Sequence, residues 1–475
     1  MPGSCARWSE DKATRTEGRV EMSEAGECDV VVIGLGPGGE HVAGSLARAG
    51  LSVVGVDERL VGGECPYFGC IPTKMMIAAA DKLRTARYVE GHAGSATVTP
   101  DWKPVADRIR EEATDDWNDQ VAVDRLVDAG AVFARGRGRI TAPGTVTVTG
   151  PDGAQTSYAA RRGIVLNTGT SPAAPPIPGL ADTPYWTNRD VVRLTELPAS
   201  LAVLGGGAIG CEIAQAVAAF GVEVTVIEAA DRLLAVEEPE ASAAVAKAFA
   251  AEGITVRTSA RAQRVERDGD GFRISLAGGT VVAERLLVAA GRRNNLRDLG
   301  LEQVGLDPDA RVLDPDERMR VAEGVWAIGD ITGKGAFTHM SMYQADVVIR
   351  DLTGAGGPWA DYRAVGRVTF TAPEVGSVGL SEAAARERGV DVRAATGDLG
   401  TRGWIAAEAG PVKLVADAGR GVLVGGTVVG SAGGEVLAAL VTAIHAEVPI
   451  ATLAEMHFAY PTFHRALQPV LRALL

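Results

Sequence analysis

The first strong pattern along the chain is an unbroken apolar run, DVVVIG, beginning at Asp29. A run of β-branched residues without polar alternation predicts a parallel strand covered on both faces. It is followed by Gly34-x-Gly36-x-x-Gly39, a helical stretch EHVAGSLARAG, and a second apolar run, SVVGVDE, in which Asp57 closes the strand. The whole unit recurs as SLAVLGGGAIGCEIAQAVAAFGVEVTVIE, with Gly205-x-Gly207-x-x-Gly210 between strand and helix and Glu228 at the end. Between the two units, residues 75–120 predict mainly helix and residues 130–165 short strands with Gly and Pro turns. The stretch SPAAPPIPG at 171–179 marks a crossing between domains, because proline ends regular structure. From 360 onward alternating strands (VKLVAD, GVLVGGTVV) give way to helices, a separate α+β domain. Residues 1–27 are polar and without period and read as a disordered tail, within which Met22 is an alternative start.

Strand, glycine turn, helix, strand and closing acid, in that order, are the parts of a dinucleotide site. The glycines let backbone approach a pyrophosphate at a helix N-terminus, and the acid receives ribose hydroxyls. Two such units imply two nucleotides. The expected fold is therefore α/β, with two Rossmann-like dinucleotide-binding domains and a C-terminal α+β domain. The expected boundaries are a first domain in two parts, 28–180 and 298–358, enclosing a second at 181–297, with the last domain at 359–475.

Composition narrows the function. The 475 residues are 46% hydrophobic and 23% charged, as in a soluble globular protein. A net charge of -13 disfavours nucleic acid and anionic membranes, which repel acidic surfaces. No apolar run reaches the length of a membrane span. Five cysteines form no secreted disulfide framework, so a cytoplasmic location is expected, where a persisting disulfide is catalytic.

Two of those cysteines carry the candidate chemistry. GGECPYFGCIPTK, residues 62–74, sets Cys65 and Cys70 four residues apart from end to end of a short loop, with Pro72 just inside a predicted helix start. The partial positive charge there favours a thiolate at Cys70. Taken alone, the segment is either a redox dithiol or two cysteines in a Gly-rich loop; no metal-type repeat of the pair follows, and no metal site is expected.

Two dinucleotide units with a Cys-x4-Cys pair after the first resemble the flavin-dependent pyridine nucleotide disulfide oxidoreductases, the family of dihydrolipoamide dehydrogenase, glutathione reductase and mercuric reductase. The resemblance runs over roughly residues 28–475 and extends to NTGTSPAAPPIPG, LLVAAGRR, VWAIGD and FTAPEVGSVGLSE. It implies that the first unit binds FAD through Gly34, Gly36 and Gly39 at the pyrophosphate and Asp57 at the adenosine ribose. Gly63, Gly138, Thr168, Gly169, Asp330 and Thr338 would complete that site. The second unit, with Gly205, Gly207, Gly210, Glu228, Gly291 and Arg292, would bind the nicotinamide nucleotide. Glu228 would repel a 2′-phosphate and no arginine stands at Ala229 or Ala235, so NADH is expected over NADPH. Cys70 would be the sulfur nearest the flavin and Cys65 the one that exchanges with substrate. Lys74 would lie beside the flavin, paired with Glu212; the alternative is two unrelated solvent-facing residues.

The C-terminus departs from the family. Where disulfide reductases carry His-Pro-Thr with a later Glu, supplied across a dimer interface, this chain reads AYPTFHRALQ, placing Tyr460 and Arg465 at the two positions. A tyrosine titrates about 3.5 units above a histidine and is a poor base at neutral pH. His464 is adjacent, but neighbouring helical positions point about 100° apart. The chain also ends PVLRALL, without the C-terminal cysteine pair of mercuric reductase. The expectation is a homodimeric NADH oxidoreductase that serves a small-molecule electron acceptor, a quinone or a non-standard disulfide. The alternatives are a dihydrolipoamide dehydrogenase-type reductase and a flavin redox sensor without turnover.

Overall fold

The computed structural model describes residues 26–475. The expectations for the tail and for Met22 lie outside them, except that Glu27 already opens the first strand. That strand, β1 (Glu27–Ile33), is followed by α1 (Pro37–Arg48) and β2 (Val53–Asp57). β1 pairs in parallel with β2 on one side and with Gln155–Leu166 on the other. Glu27 is held in the sheet because it pairs with Ala159.

The unbroken apolar run has a direct explanation in packing. Val30 and Val32 point to one side, where they meet Val42 and Leu46 of α1 and Val347 of the helix Thr338–Thr353. Val31 and Ile33 point to the other, against Ile140, Val146 and Leu301. Successive side chains of a strand alternate faces, so a sheet covered on both needs every position apolar. Each fully buried aliphatic side chain contributes about 1.5–3 kcal/mol.

The second unit forms its own four-stranded parallel sheet in the order Thr255–Arg257, Glu223–Ile227, Ser200–Leu204, Arg285–Val288. An antiparallel three-stranded sheet (Ala262–Asp268, Gly271–Leu276, Gly279–Ala283) packs on it through Val265, Phe272 and Ile274. The two crossings between units, Thr170–Pro172 and Arg292–Asn294, pair with each other as a two-stranded ribbon. The chain then returns to the first sheet with Val325–Ala327, parallel to Gln155–Leu166. The C-terminal part is a five-stranded antiparallel sheet covered by the helix Gly433–His445.

Two local expectations differ from the structure. Within 75–120, residues 88–102 form no helix, and the chain passes through a π-helical turn, Ile109–Ala113, before Asp115, Asp116 and Trp117 adopt positive φ. Within 130–165 the last strand is long, 12 residues, because besides Val325–Ala327 it serves two further partners in succession. Its first half pairs with the hairpin strand Thr145–Thr149 and its second half with β1.

Candidate active site

Cys65 lies in a single helical turn, α2 (Glu64–Tyr67), and Cys70 is the first residue of α3 (Cys70–Arg87), an 18-residue helix. Both are free thiols. Cys70 Sγ lies 3.4 Å from Thr338 Oγ1, which brings the start of a second helix, Thr338–Thr353, to the dithiol. The two sulfurs are electrostatically unequal. A hydrogen bond from the Cys65 thiol lowers the Cys70 pKa from 9.0 to about 6, with help from Thr338 and the Lys74 ammonium and against burial. The same hydrogen bond, followed by burial, pushes Cys65 far above the ordinary thiol range. Cys70 is thus the thiolate, and Cys65 the thiol that must lose a proton before it can exchange.

Lys74 lies one turn along α3. Its Nζ is 2.5 Å from Glu212 Oε2 and sits 4.5 Å from the centre of the Phe370 ring. Glu212 is buried, and its other oxygen accepts from Phe370 N at 2.8 Å. A buried carboxylate is tolerated only when paired and hydrogen-bonded, and here both oxygens are occupied. The pair links all three parts of the chain: Lys74 from the first unit, Glu212 from the second, Phe370 from the C-terminal domain.

On the other side of the dithiol, Glu64 is clamped by two arginines. Arg189 Nε donates to its Oε1 at 2.7 Å and Arg292 Nη2 to its Oε2 at 3.1 Å. Arg292 Nε also donates to Thr170 Oγ1 at 2.7 Å, and that hydroxyl donates to Asp330 Oδ2 at 2.6 Å. The chain of contacts runs from the residue before Cys65 to Asp330. Thr168 Oγ1 donates to Asn295 O at 2.7 Å, tying the crossing segments together beside it.

The glycine turns differ in what each glycine does. Gly34 has φ +91°, and a Cβ on Gly39 would stand 2.0 Å from Gly34 O, so these two are required by the packing of α1 against the turn. Gly205 and Gly210 repeat this, with a Cβ on Gly210 2.0 Å from Gly205 O. Gly207 is different: a Cβ there would meet no atom within 4 Å. Packing does not demand it; it leaves open space in front of a helix N-terminus. The closing acids are oriented identically. Asp57 accepts from Leu35 N (2.8 Å) and Arg59 N (2.7 Å), Glu228 from Gly206 N and Ala230 N (2.6 Å each). Burial raises the Asp57 pKa against these two backbone hydrogen bonds.

One cavity of about 2050 Å³ joins these parts. Gly34, Gly36, Asp57, Gly63, Cys65, Cys70, Lys74, Gly138, Thr168, Gly169, Asp330 and Thr338 line it, together with Gly205, Gly207, Glu212, Glu228, Gly291 and Arg292. Gly39 and Gly210 do not; they lie behind their turns and pack the helices. Tyr460 and His464 are also absent from the cavity lining of their own chain. Tyr460 is 67% exposed on the C-terminal domain, with the Arg465 guanidinium 5.5 Å from its ring. Glu64, Arg189, Phe370 and His339 line the cavity and were not among the expected site residues, although Glu64 stands inside GGECPYFGCIPTK and Phe370 opens FTAPEVGSVGLSE. His339 is the one imidazole in that lining among the described residues, its Nε2 donating to Gly366 O at 2.8 Å. Its position directly after Thr338 was the available signal. Among the described residues, no group of three or more His, Cys, Asp or Glu side chains is placed to hold a metal ion.

The chain has full-length relatives among known proteins. The family pattern of the pyridine nucleotide-disulphide oxidoreductases matches residues 28–345, and that of their dimerisation domain matches residues 365–470. The chain is 32% identical to dihydrolipoyl dehydrogenase of Chlamydia muridarum over 452 residues, covering 93% of this chain and 95% of the relative. It is 33% identical to mercuric reductase of Shigella flexneri over 479 residues, covering 96% and 83%. Among solved structures, LpdA from Mycobacterium tuberculosis superposes with a TM-score of 0.83 at 27% identity, covering 94% of this chain and all of that one. The Cu(II) complex of the HOCl-induced flavoprotein disulfide reductase RclA from Escherichia coli gives 0.82 at 26%, covering 94% and 99%.

Proposed function

Because the chain belongs to the pyridine nucleotide-disulphide oxidoreductase family, we propose that it is an FAD-dependent NADH oxidoreductase whose Cys65–Cys70 pair serves a small acceptor, a quinone or a non-standard disulfide. The observation that carries this reading is the unequal dithiol opening into the cavity shared by both glycine turns.

The residues present fit the two cofactors of the family. Gly34, Gly36, Asp57, Gly63, Gly138, Thr168, Gly169, Asp330 and Thr338 would hold FAD, and the space in front of Gly207 suits the pyrophosphate of a nicotinamide nucleotide. Gly205, Glu228, Gly291 and Arg292 would hold the rest of that nucleotide, with Gly210 packing the helix behind it. When bound, FAD supplies the two-electron chemistry that couples a nicotinamide to a dithiol. The chain's own residues do the rest. Lys74 brings a fixed positive charge that Glu212 orients. The hydrogen bond from Cys65, with Thr338 and Lys74, favours Cys70 as the thiolate, and Cys65 retains its proton until exchange.

That proton directs the choice of acceptor. Thiol–disulfide exchange at Cys65 needs a base, and the family position for it, contributed across a homodimer, is Tyr460. An acceptor that takes electrons without forming a mixed disulfide requires no such base, which favours a quinone. A second reading, a dihydrolipoamide dehydrogenase-type reductase, is favoured by the full-length similarity to that enzyme. A third is a flavin redox sensor. We place the enzyme in the cytoplasm, where the dithiol is kept reducible.

The test is steady-state turnover of FAD-loaded protein with NADH against a panel of quinones, lipoamide, low-molecular-weight disulfides, Hg(II) and Cu(II). Fastest turnover with a quinone is expected. Preference for lipoamide would replace this reading with the second, and absence of turnover on every acceptor would leave the sensor.

A further inference from the structure

The second nucleotide site contains a positive charge that the order of residues along the chain conceals. The arginine nearest to Glu228 in sequence, Arg232, is turned away: its Nη2 donates to Ala235 O at 2.9 Å, Nη1 lies 3.3 Å from Asp231 Oδ1, and it does not line the cavity. Arg261 does. Strand Thr255–Arg257 runs parallel to Glu223–Ile227 in the register Ile227↔Arg257, so the segment after it travels alongside the segment after Ile227. Glu228 N donates to Arg257 O at 2.8 Å, Ser259 N to Ala230 O at 2.6 Å, and Ala260 N to Glu228 O at 2.9 Å. Arg261 follows directly, lines the cavity with Glu228, Ala229 and Ala260, and is exposed. Among the described residues no carboxylate pairs with it, unlike its neighbours Arg232 and Arg264.

The acid that closes the second strand of such a unit is where the 2′ position of the adenosine ribose is read. We infer that Arg261 is a specificity-determining residue that lets this site accept a 2′-phosphorylated nucleotide, NADPH, alongside NADH. The inference rests on the reading of the second unit as the nicotinamide nucleotide site. A 2′-phosphate carries nearly two negative charges at neutral pH, and a guanidinium presents a planar fork of donors that matches it. Glu228 repels that phosphate and Arg261 attracts it, so the site discriminates weakly where Glu228 alone would discriminate strongly.

Binding of 5′-ADP and 2′,5′-ADP to the FAD-loaded protein, measured by calorimetry, separates the 2′-phosphate from catalysis. For Arg261→Ala the expected result is about a tenfold loss of affinity for 2′,5′-ADP, with 5′-ADP changed less than about twofold. Arg261→Lys should recover part of the loss, since it restores charge without the fork. In turnover, Arg261→Ala should raise KM for NADPH, leaving kcat and the NADH parameters in place. An equal effect on both ligands, or none on either, overturns the inference. If wild-type protein retains FAD but binds neither ADP, the nucleotide-site reading itself fails; if 5′-ADP binds and Arg261→Ala leaves 2′,5′-ADP untouched, only the role of Arg261 fails.

Discussion

Cys65 and Cys70 are chemically identical side chains made different by their surroundings. Cys70 faces Thr338, Lys74 and the Cys65 proton, whereas Cys65 faces burial and a neighbouring thiolate. Anaerobic titration with NADH should therefore give long-wavelength thiolate-to-flavin absorbance in wild type and in Cys65→Ser, and none in Cys70→Ser. Because the Cys70 pKa lies below that of an ordinary thiol, the band should hold as pH falls from 9 to 7 and disappear through about 6. A band lost instead near 9 would assign the thiolate wrongly. Lys74→Met removes one partner of a buried carboxylate. Glu212 keeps its bond from Phe370 N, and Lys74 is about one-third exposed, so a destabilisation of about 1–3 kcal/mol is expected by chemical denaturation.

The glycine turns show how one residue type meets two demands within an element. Gly34, Gly39, Gly205 and Gly210 are fixed by protein contacts, because a Cβ at each would stand within 2.4 Å of a backbone oxygen. Substituting Gly39 by Ala should cost the first unit its FAD and much of its stability. Gly207→Ala should do neither: its Cβ meets no protein atom, so the variant should fold and retain FAD yet bind 5′-ADP more weakly. Retention of full ADP affinity in Gly207→Ala would mean that the open space is not where the pyrophosphate goes. The strand–turn–helix pattern was legible because its physics is local: apolar runs, glycine turns and a closing acid all fall within about 30 residues. The length of the strand Gln155–Leu166 was not, since its second half is set by β1 and Val325–Ala327, both drawn from distant parts of the chain.

The three parts of the molecule are held together by charge as well as by apolar packing. Arg367 of the C-terminal domain meets Glu237 of the second unit through two nitrogens, at 2.7 and 2.9 Å. Lys413 lies buried among Glu238, Glu240 and Glu382, each at 3.0 Å. Burial works against the Lys413 charge, but the three carboxylates hold its pKa above the ordinary lysine range. Lys413→Met should leave the buried Glu238 with only its bond from Glu382 N, at a cost of about 3 kcal/mol. Thermal unfolding should show a lowered first transition, and an unchanged one would mean that the cluster contributes no coupling between the domains. The same C-terminal domain exposes Trp404 (81%), Ile405 and Tyr460, large side chains left uncovered on a domain whose family pattern is one of dimerisation. Sedimentation as a dimer at micromolar concentration is expected, and a monomer there would exclude Tyr460 from any site shared between subunits.

By itself the sequence determined the two dinucleotide units, the separate C-terminal domain and the dithiol at the start of α3, because each is written in contiguous residues with a period or a spacing. It also supplied Lys74 and Glu212 as partners, through resemblance alone; the 2.5 Å contact between them exists because α3 and the helix Ala208–Ala218 pack together. Only the tertiary structure decided the clamp of Arg189 and Arg292 on Glu64, the place of His339 in the cavity, and the arrival of Arg261 beside Glu228. Those contacts join residues between 33 and more than 200 positions apart, and no local pattern encodes a distance across a sheet.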